Sequence, residues 1–219
     1  MTNKQLQVKI AEGEHQQQDF KYAINDSKKI ARSLAAFANS DGGSLLLGVK
    51  DNGKVVGVAS EEEFYMVEAA AQRYCKPPIA FETYEWEEEG KTVLEIKIHR
   101  SAHKPHTAPN KEGKPMVYVR VDDQNLLANK ILLDYWKAQK KNSNNLFRLN
   151  EPEKYILNYL ATNESITLTR FQKQARISYY RAQKIMVSLL CMKIINIHIT
   201  EKGVYYTLAQ QAGKKQKVD

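Results

Sequence analysis

Between Arg170 and Lys193 the sequence places six basic side chains, Arg170, Lys173, Arg176, Arg181, Lys184 and Lys193, with no acidic residue among them. Cations at that density suit a row of phosphates. If the segment contains a helix that lies in a major groove, Tyr180, Arg181, Gln183 or Lys184 could reach base edges, while Arg176 and Lys202 neutralise backbone charge. Other chemistry-bearing patterns are weaker. His99, His103 and His106 form H-x3-H-x2-H, but Pro105 and the neighbouring Arg100, Lys104 and Thr107 read as a strand leaving into a surface loop, not as a metal site. No G-x-x-x-x-G-K-[ST] occurs, and Gly42-Gly43 follows a helix, whose terminal carbonyls disfavour phosphate. No Ser-His-Asp or Cys-His arrangement is visible. Arg120, in the run VYVRV, contacts phosphate or pairs with an acidic neighbour.

Three helical segments and a hairpin must position the basic residues. Tyr155, Ile156, Tyr159 and Leu160 recur at helical spacing within residues 151–160. A short helix follows over 169–175, and Ser178 caps a third over 179–191 with Ala182, Ile185, Met186, Leu189 and Leu190 inward. Strands over 194–200 and 204–208, around Glu201-Lys202-Gly203, complete the wing of a winged helix-turn-helix.

Charge is divided unevenly along the 219 residues, which carry a formal net charge of +8. Residues 1–141 hold 21 basic and 20 acidic side chains, whereas residues 142–219 hold 12 and 5. The basic excess therefore belongs to the C-terminal third and points to a polyanion there. The segment KAQKKNSNNLFRLN lacks apolar periodicity, so residues 142–150 read as a linker between a domain at 1–141 and one at 151–209, with a basic tail at 210–219. No stretch approaches the roughly 20 apolar residues of a membrane span, and the first residues lack the apolar core of a signal peptide, so a cytoplasmic location is expected. Cys75 and Cys191 have no C-x-x-C partner and read as small core hydrophobes.

The N-terminal segment alternates between helical and strand periods, the pattern of an α+β domain. Asp26 or Ser27 caps a helix over about 28–39, which Gly42-Gly43 ends. Residues 44–49 and 54–58 flank the turn Asp51-Asn52-Gly53, and residues 81–87 and 92–99 flank a turn in which Glu87, Glu88 and Glu89 are solvated. A strand over 116–121 leads to Asp122 or Asp123, the cap of a helix over about 124–139 that closes this domain.

The string EGEHQQQDFKYAINDSKKIARSLAAFANSDGGSLLLGVKDNGKVVGV, with AFANSDGG, LLLGVKDNG and the later VYVRV as landmarks, resembles the AlbA-like domain of Schlafen proteins, also called divergent AAA, over about residues 10–140. The resemblance implies an α+β nucleic-acid-binding fold. With a winged helix appended, it implies a transcriptional regulator; joined to the basic C-terminal third, the leading reading is a DNA-binding protein that is not an enzyme, needs no cofactor and binds DNA in preference to RNA. It also implies a homodimer, because Schlafen proteins place two such lobes in one chain. The alternative is a Schlafen-like endoribonuclease that uses Mg or Mn held by three carboxylates, matched here by Glu14, Asp19 and Asp51. Position 19 is Asp where the family typically has Glu. Glu14 and Asp19 are an odd number apart, so a turn must separate them before both can face one site.

Overall fold

The computed structural model describes residues 4–58, 62–141 and 149–209. The chain divides into two compact units between Ala128 and Asn129.

In the first unit, α1 (Lys4–Glu12), β1 (Gln18–Lys21), α2 (Ser27–Asn39) and β2 (Gly43–Leu47) precede α3 (Glu62–Ala69), which runs into a π-helical turn at Ala70–Tyr74. The strands β3 (Phe81–Glu88), β4 (Lys91–Ile98), β5 (Thr107–Pro109), β6 (Pro115–Val121) and β7 (Gln124–Leu127) follow. The first four strands form a sheet of order β1-β2-β4-β3, parallel between β1 and β2 and antiparallel elsewhere. Strands β5, β6 and β7 form an antiparallel sheet of their own.

Both faces of the larger sheet are covered, which is why Leu45-Leu46-Leu47 is a continuous apolar run and not an alternating one. Leu45, Leu47, Ile96 and Ile98 pack in the core with α2, whereas Leu46 and Val93 pack with Leu6 and Phe20. Helix α2 joins the sheets, since the core it shares with β2 and β4 also holds Ala108 of β5 and Tyr118 of β6. From Ala31 to Asn39 every α2 residue except Arg32 is buried. The small side chains of Ala31, Ala35, Ala36 and Ala38 allow that close approach. Asp26 is the cap, accepting from the Lys28 amide at 2.8 Å. Gly42 takes a φ of +76°, and a Cβ there would lie 2.7 Å from the Ile98 carbonyl oxygen. No other residue fits this helix stop.

The second unit contains α4 (Lys130–Lys140), α5 (Glu151–Thr162), α6 (Leu168–Gln174), α7 (Tyr179–Cys191), β8 (Ile195–Thr200) and β9 (Gly203–Leu208). Ile156, Phe171, Met186, Leu189 and Tyr206 centre its core, joined by Ile131 of α4. Ile166 pairs with Tyr206 through two backbone hydrogen bonds of 2.9 Å, adding a third extended segment beside the β8–β9 hairpin.

Several expectations are corrected. Asp122 takes a φ of 53° in the β6–β7 turn and caps nothing, and the helix begins after Asn129, whose side chain accepts from the Leu132 amide. That helix belongs to the C-terminal unit and does not close the first. Residues 54–58 contribute one bridge, Val49 with Val55, in place of a full strand. Glu88 is buried and accepts from Gln7 Nε2 at 2.9 Å, so the acidic turn is not wholly solvated. His106 is buried although His99 and His103 are exposed, and Cys191 is exposed although Cys75 is buried. Residues 142–148 and the tail from 210 lie outside the described residues.

Candidate functional site

Apolar burial turns the cations of the C-terminal unit outward. Ala182, Ile185, Met186, Leu189 and Leu190 of α7 are buried, and Arg170, Lys173, Arg176, Arg181, Lys184 and Lys193 are all exposed. Thr167 and Ser178 cap α6 and α7, accepting from the amides of Arg170 and Arg181. Between the helices Arg176 takes a φ of 51°, which turns the chain within three residues. Tyr179 and Tyr180 are exposed at the start of α7, and the Lys184 ammonium lies over the Tyr180 ring at 4.6 Å. The Arg170 guanidinium lies over Tyr159 at 5.4 Å, and Lys202 is exposed at the β8–β9 turn. Gln183 is corrected: it is buried on the inward stripe beside Ala182 and Met186, and its amide is not presented to a base. Tyr179 is the exposed group that helical spacing alone passed over.

The acidic segment of the first unit folds as its spacing requires. His15 and Gln18 pair across Gln16-Gln17, the turn that lets Glu14 and Asp19 share one side. Each of the three glutamines ties a different part of the chain. Gln16 Nε2 donates to the Arg120 carbonyl at 2.9 Å, Gln17 Nε2 to the Asp41 carbonyl at 3.1 Å, and Gln18 Nε2 to the carbonyls of Lys9 and Gly13.

Glu14 Oε1 accepts from the Phe20 amide at 2.9 Å, and Lys21 Nζ lies 3.7 Å from Glu14 Oε1 and 3.2 Å from Asp19 Oδ1. Asp19 is buried with Arg120, whose guanidinium is 3.4 Å away. Ser33 Oγ donates to the other Asp19 oxygen at 3.4 Å, and Asn125 Nδ2 donates to Ser33 Oγ at 2.9 Å. Lys21, Ser33 and Asn125 are thus members that motif matching did not single out. Asp51 is exposed in the turn after Val49. Among the described residues, no three His, Cys, Asp or Glu side chains are grouped to hold a metal ion. The three-carboxylate Mg or Mn centre therefore does not fit this arrangement. Two carboxylates meet two cations instead, and the third ligand is elsewhere. Arg120 is corrected as well, because its side chain is 1 % exposed and presents no face to a phosphate.

A further buried carboxylate, Glu95, escaped the sequence because it interrupts an apolar strand. It accepts from Ser44 Oγ at 2.6 Å, Lys9 Nζ at 2.9 Å and Trp86 Nε1 at 3.0 Å. The two partly enclosed glutamates titrate in opposite senses. Burial and the Asp19 carboxyl hold Glu14 above the ordinary 4.5, against the pull of the Phe20 amide and Lys21. For Glu95 burial acts upward, but the hydrogen bonds from Ser44, Lys9 and Trp86 outweigh it and hold the group below 4.5. The stability Glu95 contributes is complete above the unfolded value and is lost as pH falls through its lower folded value. The contribution of Glu14 is present below the unfolded value and is lost as pH rises through its higher folded value. Glu95→Gln should therefore flatten the acid limb of a stability profile, and Glu14→Gln the limb above it. Urea midpoints between about pH 3 and about pH 7 check both, and unchanged profiles would contradict these networks.

No helix among the described residues is long and apolar enough to cross a membrane. No curated protein matches the chain. Among solved structures, a Corynebacterium diphtheriae protein shares 18% identity at a TM-score of 0.43, over 56% of this chain and 24% of its own, so this chain spans about a quarter of that protein. The N-terminal domain of an ATP-dependent DNA helicase RecG-related protein from Nitrosomonas europaea shares 22% identity at a TM-score of 0.42, over 59% of this chain and 96% of that domain. Residues 14–129, more than half of the chain and ending one residue past the first unit, match the Schlafen, AlbA_2 family, to which this chain belongs.

Proposed function

We propose that this protein is a DNA-binding transcriptional regulator without catalytic activity, whose C-terminal unit is a winged helix-turn-helix that engages duplex DNA. The observation that carries the reading is the exposure of all six cations of a segment, Arg170 to Lys193, that contains no acidic side chain. Dividing the chain at Ala128 sharpens the charge asymmetry. Residues 1–128 hold 17 basic and 19 acidic side chains, and residues 129–219 hold 16 and 6. Arg181 and Lys184, three apart on α7, reach phosphates or base edges, Lys202 approaches the backbone from the hairpin, and Tyr180 stacks or packs beside them.

Arg181→Ala combined with Lys184→Ala should lower affinity for duplex DNA at least about tenfold and reduce the salt slope by about 2, because each lost phosphate contact releases one fewer counterion. Fluorescence anisotropy across a salt series measures both. Unchanged affinity would remove α7 as the reader. The same reading has the chain bind as a homodimer, which the near-balanced charge of the first unit favours by limiting repulsion between copies. Half-sites would then lie about 34 Å, or a multiple, apart. Sedimentation tests this, and a monomer on a single asymmetric site would overturn it.

A further inference from the structure

A cleft of about 380 Å³ opens in the first unit where β3 begins and β4 ends. Pro77, Pro78, Ile79 and Phe81 form its apolar side, and the segment from His99 to His103 forms the other. His106 fixes the two sides to each other. Its Nδ1 meets the Pro77 carbonyl at 2.8 Å, which requires that nitrogen to carry the proton, and its Nε2 then accepts from Ser101 Oγ at 2.7 Å. Ser101 Oγ also accepts from the His103 amide at 2.9 Å. The cleft is therefore held open by hydrogen bonds on both walls, and its volume lies near the low end of small-molecule sites.

Its electrostatics favour an anion. The Glu82 carboxylate is already engaged by the Tyr84 hydroxyl at 2.7 Å and by His99 Nε2 at 2.9 Å. Arg100, two-thirds exposed, reaches Asp41 only at 3.8 Å, and the His103 imidazole has no hydrogen-bond partner among the described residues. Lys104, just behind this wall, donates to the Ser40 carbonyl at 3.1 Å. Burial and the charge of Arg100 push its ammonium down to about 8, against the pull of Asp41.

We infer that this cleft binds a small organic anion with a flat apolar body, of which an aryl carboxylate is the simplest form, its carboxylate on Arg100 and His103 and its ring against Phe81 and Pro78. Recognition combines a charge-assisted contact with an apolar platform, and neither alone is sufficient in so open a site. Because Arg100 and His103 project outward, their replacement leaves the core of the unit intact.

The test is a titration of the isotope-labelled full chain, followed by amide NMR, with benzoate, with benzyl alcohol as its neutral analogue, and with oligothymidylate. Benzoate should shift the amides of Ala80, Phe81, Ser101 and His103 saturably, with a Kd of about 1 mM expected for so few atoms. Benzyl alcohol should bind at least about tenfold more weakly, and Arg100→Ala with His103→Ala should cost benzoate a similar factor. No saturable shift at these amides, equal binding of the alcohol, undiminished binding by the double variant, or a response to oligothymidylate alone would each overturn the assignment. The last outcome would make the wall a phosphate contact for a nucleic-acid strand.

Discussion

Arg120→Ala is expected to destabilise the first unit by about 3–5 kcal/mol, the range for removing one partner of a buried ion pair. The guanidinium donates to the Gln18 carbonyl at 3.0 Å, the His15 carbonyl at 3.4 Å, Asn125 Oδ1 at 3.3 Å and Asp19 Oδ1 at 3.4 Å, and it stacks over Phe37 at 5.1 Å. Truncation leaves the Asp19 carboxylate, 4 % exposed, with Lys21 as its one remaining cation among the described residues and removes the guanidinium's bonds to the His15 and Gln18 carbonyls. Lysine is a poor substitute, since one ammonium cannot reach the several acceptors that the planar fork spans. Adding Asp19→Asn should recover part of the loss, with a coupling energy of at least about 1 kcal/mol, because the amide removes a buried charge that has lost its guanidinium and keeps only Lys21. Urea unfolding of the two single variants and the double variant measures it. A stable Arg120→Ala protein that had lost DNA affinity would instead return Arg120 to the role of phosphate ligand.

What could be read from the sequence and what could not separates by the kind of interaction. Helix α7 was legible because Ser178 caps it and Ala182, Ile185, Met186 and Leu189 keep a helical period, both local signals. The β3–β4 hairpin was legible for the same reason, its turn residues Glu89 and Gly90 taking positive φ between two β-rich runs. Asp122-Asp123 misled because an acidic pair before an apolar run serves equally as a helix cap or as a hairpin turn, and β6–β7 pairing decided for the turn. Gln183 lies on the stripe shared by Ala182 and Met186, where a side chain faces the core, so the helical period itself takes it off the exposed face. The meeting of Glu14 with Asp19 needed the His15–Gln18 turn, and their neutralisation by Lys21 and Arg120 depends on a residue about a hundred positions away. No local window contains that pairing, so the motif matched to a metal centre describes a salt-linked cluster in this chain.

Asn39 carries the second large effect, and it was legible only as a polar residue at a helix end. It is 1 % exposed, and its amide closes three long-range bonds at 2.8 Å, donating to the carbonyls of His106 and Tyr118 and accepting from the His106 amide. Those partners fix the orientation of the amide, because two carbonyls demand the nitrogen side. The bonds tie the end of α2 to β6 and to the segment leading into β5, so one side chain joins the helix to the second sheet. Asn39→Ala leaves two acceptors and one donor buried without partners and should cost about 3 kcal/mol or more. Asn39→Asp keeps the shape but turns a carboxylate oxygen toward two carbonyl oxygens, so it should destabilise to a comparable degree. Urea midpoints of both variants test this, and an Asn39→Asp protein as stable as the parent would contradict the network. The loss should also reach His106, whose amide is released and whose imidazole then holds Pro77 and Ser101 without support from α2. Faster amide exchange at Ser101 and His103 in Asn39→Ala, beyond that of an equally destabilising substitution at Ile156 in the other unit, would show that Asn39 supports the cleft as well as the core.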